Sequence, residues 1–108
     1  MPGDANGVFR SNGDRTFNGS FTLPSGVRDL HGTFTRDVPA FNVDEATFVF
    51  NEESDLHGKY AIAAEAVVSP NGLSCTFRNN NGKEFLIEGY HEPHLDKPYP
   101  ISGFLEWA

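Results

Sequence analysis

The segment Leu30-His31-Gly32-Thr33-Phe34 decides how this chain reads: an apolar residue, a polar one, a glycine, any residue, then a large apolar one. The same five-place pattern returns as Phe17-Asn18-Gly19-Ser20-Phe21, Leu56-His57-Gly58-Lys59-Tyr60, Ile87-Glu88-Gly89-Tyr90-His91 and Ile101-Ser102-Gly103-Phe104-Leu105. Side chains two apart point to one face of a strand, so each copy reads as a half-buried strand. The inward glycine lets the strand coil and leaves space for a large side chain from a neighbour.

Working outward, turn signals separate eight such strands. Ser11-Asn12-Gly13-Asp14 is a hairpin turn, since Asn-Gly takes positive φ readily. Leu23-Pro24-Ser25-Gly26, Asp37-Val38-Pro39-Ala40, 51–55, Ser69-Pro70-Asn71-Gly72 and Asn79-Asn80-Asn81-Gly82 supply the next turns, and 92–98 is the one longer connection. The strands between them are expected at 7–10, 15–23, 27–36, 41–50, 56–68, 73–77, 83–91 and 99–107. In the fourth, Phe41 and Val43 are out of phase with Phe48 and Phe50, which a bulge at Asp44-Glu45 reconciles. Hairpin-length connections mean that sequence neighbours pair. The expected fold is all-β, an eight-stranded antiparallel up-and-down β-barrel over residues 7–108, with a flexible arm at 1–6. A two-sheet β-sandwich is the alternative.

The 108 residues make one domain with one core; ten Phe, eleven Gly and seven Pro suit short strands and tight turns. Eight basic against fifteen acidic side chains give a net charge of −7, which argues against nucleic acid or an anionic membrane as partner. A single cysteine, Cys75, leaves no internal disulfide. There is no basic start followed by an apolar run and no stretch of membrane-spanning length, so the expected compartment is the cytoplasm.

The Leu30–Phe34 and Leu56–Tyr60 segments resemble the apolar-polar-Gly-x-aromatic strands of avidin-like barrels. Ile101-Ser102-Gly103-Phe104-Leu105-Glu106-Trp107 is similar to the closing strand of small barrel cyclases such as the allene oxide cyclases. This calycin-type resemblance implies a barrel with a ligand cavity, often in an oligomer. Two departures stand out: Trp107 is the sole tryptophan, where an avidin-like biotin site has several, and Gly7-Val8-Phe9 lacks the lipocalin Gly-x-Trp.

Strand direction gathers the turns at 11–14, 37–40, 69–72 and 93–98 at one mouth. The inward phase brings Arg36, His91 and Tyr99 to its rim, above Phe17, Phe34 and Phe41 and with Tyr60 deeper. An apolar body with convergent polar groups is the anatomy of a small-molecule pocket. Phe17, Phe34, Arg36, Phe41, Tyr60, His91 and Tyr99 are therefore the expected ligand-binding residues. His91, Arg36 and Tyr99 are the candidates for catalysis should the pocket turn over a substrate.

Other features read as structural. His91-Glu92-Pro93-His94 with Asp96 invites a metal, yet Pro93 breaks the helix that would pair the two histidines and no third ligand is fixed by spacing. No metal or cofactor is expected. His31 and His57 take the outward phase, and Cys75 the inward one with no activating histidine. Neither a nucleophile elbow nor a phosphate-cradling loop is present. Outward Leu86, Tyr90 and Phe104 suggest a homodimer contact.

Three functions follow in order: a barrel that binds a small apolar or aromatic ligand, a cofactor-free cyclase or isomerase in the same pocket, and a lectin-like module using loops 11–14 and 79–82. They divide on whether the barrel is hollow or filled.

Overall fold

A computed structural model describes residues 3–64 and 66–107. Ten strand segments, β1 (Gly3–Ser11), β2 (Thr16–Leu23), β3 (Gly26–Phe34), β4 (Phe41–Phe50), β5 (Lys59–Ile62), β6 (Val67–Val68), β7 (Gly72–Arg78), β8 (Glu84–Tyr90), β9 (Tyr99–Pro100) and β10 (Gly103–Trp107), form one closed antiparallel barrel. β5 with β6, and β9 with β10, are single strands interrupted, so the wall has eight strands as expected. Its order is β1-β2-β3-β10-β5-β7-β8-β4, and β4 closes on β1.

The up-and-down order holds within β1–β2–β3 and within β6–β7–β8. Between these runs the chain crosses over: β4 returns to lie beside β1, and β10 lies between β3 and β5. Each half is thereby a Greek key, four strands in spatial order 4-1-2-3. The connections 35–40, 51–58 and 91–98 make the crossings. Passing two strands means spanning about 14 Å, which six residues at roughly 3.3 Å each reach with slack. Tight turns have no such reach, so short connections fix hairpins and longer ones release the order.

Of the expected arm at 1–6, Met1 and Pro2 lie outside the described residues, while Gly3 to Asn6 are the first half of β1. Ala5 pairs with Phe48 and is buried, which ties this segment to the wall. The bulge in β4 is where the phase break places it: Gly7 faces Ala46 and Phe9 faces Val43, so Val8 stands opposite both Asp44 and Glu45. Phe41, Val43, Ala46, Phe48 and Phe50 all point inward as a result. The continuous strand expected at 56–68 is broken. Ile62 faces Phe77 and Val67 faces Ser74, five steps matched to three, so the surplus residues leave the ladder and Ala64 is exposed. Leu56 to Gly58 belongs to the crossing connection, with Gly58 at φ 74°, so this copy of the pattern is a turn.

Aromatic rings pack through an interior whose remaining places are aliphatic, among them Leu30, Val43, Leu56, Ile87 and Leu105. Phe9, Phe17 and Phe34 stack in sequence at 5.4 and 4.6 Å between centroids, and Phe77 and Phe85 lie 5.0 Å apart. Phe48 contacts Phe21, Phe50, Phe85 and Trp107. At Gly32 a Cβ would lie 2.3 Å from Phe17 Cζ and 2.4 Å from the Phe104 carbonyl oxygen, so the absent side chain is the space that the Phe17 ring occupies.

Candidate functional site

Both barrel ends are closed by the connections that cross them. At the end expected to be a mouth, the Val38 side chain is buried, its N–H donates to the Asp14 carbonyl at 3.0 Å, and Ser11 Oγ donates to the Pro39 carbonyl. Asp14 itself accepts bonds from Thr16 Oγ1 and Thr16 N–H, which hold its carboxyl below the usual range. His91 takes the aromatic place of its pattern copy and is 1% exposed. Its Nε2 lies 2.8 Å from the Ser69 carbonyl oxygen and its Nδ1 3.0 Å from that of Pro93, with Phe41 4.8 Å away. Leu95 N–H donates to the Pro70 carbonyl. His91 therefore joins the turn before β7 to the connection after β8, and both ring nitrogens face main-chain oxygens.

The other expected site residues do not converge. Arg36 is exposed, because β3 ends at Phe34 and the crossing connection turns the chain off the wall before the inward phase reaches residue 36. Tyr99 donates its hydroxyl to Asp96 at 2.6 Å; this bond pushes the phenol up and holds the Asp96 carboxyl below its ordinary range. Phe17, Phe34 and Phe41 are core rings. Tyr60 bonds toward the opposite end, its hydroxyl donating to the Asp55 carbonyl; burial, then the Asp55 charge, pushes its phenol up. At that end Leu56 is buried, Arg28 donates to the Leu56 carbonyl and sits over Trp107, and the main-chain N–H of Trp107 donates to the Gly58 carbonyl.

His94 is exposed while His91 is engaged on both nitrogens, so the two do not form a metal pair in this arrangement. His31 faces outward from β3, as its phase requires, while His57 is exposed on the crossing connection. Burial pushes the Cys75 thiol up to about 12, which leaves it inert as a nucleophile at neutral pH.

Several concavities lie on the outer wall among the described residues. Tyr90, 83% exposed, is a ridge between two of them. One, about 500 Å³, is lined by Val67, Ser69, Asn71, Gly72, Ser74 and Glu88; the other, about 430 Å³, by Asn42, Asp44, Glu45, Thr47, Gly89 and Glu92. The sequence explains why the ring stands uncovered. Its cross-strand partner is Gly72, its predecessor is Gly89, and the Asp44-Glu45 bulge interrupts the β4 side. Tyr90 occupies the variable, outward place of the five-residue pattern, which the phase reads as exposed and as part of a dimer contact. The expected patch of Leu86, Tyr90 and Phe104 is divided by the crossover: β7 and β5 separate β8 from β10, and Phe104 underlies Lys59 Nζ at 4.4 Å.

Fold and surface together define a small closed antiparallel β-barrel with a ring-packed interior. No protein-family model, no curated protein and no solved structure matches the chain.

Proposed function

We propose that the protein is a binding module that takes a carbohydrate on its outer wall, across Tyr90. The observation that carries this reading is the nearly bare Tyr90 ring between two polar grooves on a barrel whose interior rings already touch one another. A sugar offers C–H faces to an aromatic plane and hydroxyls to amide, hydroxyl and carboxylate groups; Asn42, Asn71, Ser69, Ser74, Glu88 and Glu92 supply such groups on either side. The grooves flank the ring, so an oligosaccharide suits the surface better than a single sugar.

The interior reading needs the Phe9–Phe17–Phe34 stack to part for a ligand, at the cost of contacts that hold the barrel. The cyclase reading needs Arg36, His91 and Tyr99 to meet one substrate, and they are exposed, walled in and bonded to Asp96 respectively.

Tyr90→Ala is expected to weaken oligosaccharide binding, measured by titration calorimetry, by about 1 kcal/mol or more, roughly fivefold or more, with thermal unfolding unchanged because the ring is exposed. Equal affinity of the variant and the parent for every bound oligosaccharide overturns the proposal.

A further inference from the structure

Five Asn-Gly steps occur in the chain, at Asn6, Asn12, Asn18, Asn71 and Asn81. They share one latent reaction. The main-chain nitrogen of a glycine can attack the side-chain carbonyl carbon of the preceding asparagine, since no Cβ obstructs the approach; this is one reason asparagine is thermolabile. A glycine N–H already committed to an acceptor is held away from that carbon, and breaking the bond costs free energy.

The structure separates the five. Gly7 and Gly19 lie within the wall, paired on both sides, Gly7 with Phe21 and Ala46 and Gly19 with Phe9 and Leu30. Gly72 N–H donates to Ser69 Oγ at 3.0 Å, and Gly82 N–H to the Asn79 carbonyl at 3.1 Å. Gly13 is different. It sits at φ 86° in the exposed turn between β1 and β2, and its N–H donates no hydrogen bond among the described residues. The Asn12 side chain is exposed too, its one hydrogen bond among the described residues a surface bond from Nδ2 to Thr16 Oγ1.

We infer that Asn12 is a modification site, the position at which the folded protein deamidates spontaneously. Gly13 N gives its proton to solvent and bonds to Asn12 Cγ; the Cγ–Nδ2 bond breaks and the amide nitrogen leaves as ammonia. Water then opens the five-membered imide at either carbonyl, giving aspartate or isoaspartate, with nothing oxidised or reduced. The product loses the Nδ2 bond to Thr16 and gains a carboxylate near that of Asp14, which already accepts two bonds from Thr16. Isoaspartate also lengthens the main chain in the turn whose Asp14 carbonyl receives Val38 N–H. The modification therefore loosens the closure of that barrel end.

The full chain, incubated at mildly alkaline pH both folded and in denaturant and then mapped peptide by peptide by mass spectrometry, tests this. In the folded protein Asn12 is expected to convert several-fold faster than the other four; in denaturant the five are expected to converge, since all are Asn-Gly. Asn12→Gln is expected to remove the fast phase and leave the remaining four rates unchanged. Equal rates in the folded protein, or Asn71 or Asn81 converting first, overturn the assignment.

Discussion

Replacing Phe48 with alanine is expected to destabilise the protein by about 3–5 kcal/mol, the usual range for deleting a buried aromatic ring. Phe48 is fully buried and its ring lies 5.0 Å from Phe21, 5.3 Å from Phe50, 4.9 Å from Phe85 and 5.6 Å from Trp107. These rings belong to β2, β4, β8 and β10, so the two Greek keys meet on this side chain. The loss is a large share of the roughly 5–15 kcal/mol that holds a domain of this size together. Denaturant unfolding of Phe48→Ala against Phe48→Leu measures it, with the leucine variant recovering part of the loss. A cost for alanine below about 1 kcal/mol, the centre of the range for point substitutions of every kind, contradicts the packing described.

Gly32→Ala is expected to cost about 3 kcal/mol, the upper end of the range for overpacking a filled core. The added Cβ meets the Phe17 ring and the Phe104 carbonyl oxygen, and Phe17 cannot retreat because Phe9, Phe34 and Phe77 surround it. Combining Gly32→Ala with Phe17→Leu is expected to fall short of additivity by about 1 kcal/mol, since residues in contact couple. Strict additivity in the double-mutant cycle contradicts the contact.

The glycine and the aromatic at Gly32 and Phe34 were legible because a strand's side-chain period is fixed and the pattern repeats it. The bulge was legible for the same reason, since Phe41 and Phe48 can share a face only if an extra residue separates them. Strand order was not. The segments 35–40 and 91–98 carry no signal for crossing two strands rather than turning back, because main-chain pairing along a barrel wall does not depend on which strand is the neighbour. From that one difference follow the separation of Phe104 from Tyr90, the exposure of Arg36 on a crossing connection, and the closed mouth. Whether ten phenylalanines fill a barrel depends on side-chain volume summed over all strands, which no local pattern holds. His91 was legible as inward from its place in the fourth copy; that its nitrogens face the carbonyls of Ser69 and Pro93 depends on two loops meeting.

The barrel interior is packed with touching rings, and the ligand site we propose is on the outer wall at Tyr90. The most direct measurement is a map of backbone and side-chain NMR shifts on titrating an oligosaccharide bound by the protein. Shifts are expected at Tyr90 and its flanks, Asn42, Asn71, Glu88 and Glu92, with Phe17, Phe34 and Tyr60 unmoved. Shifts concentrated on those interior rings, with Tyr90 silent, contradict the account.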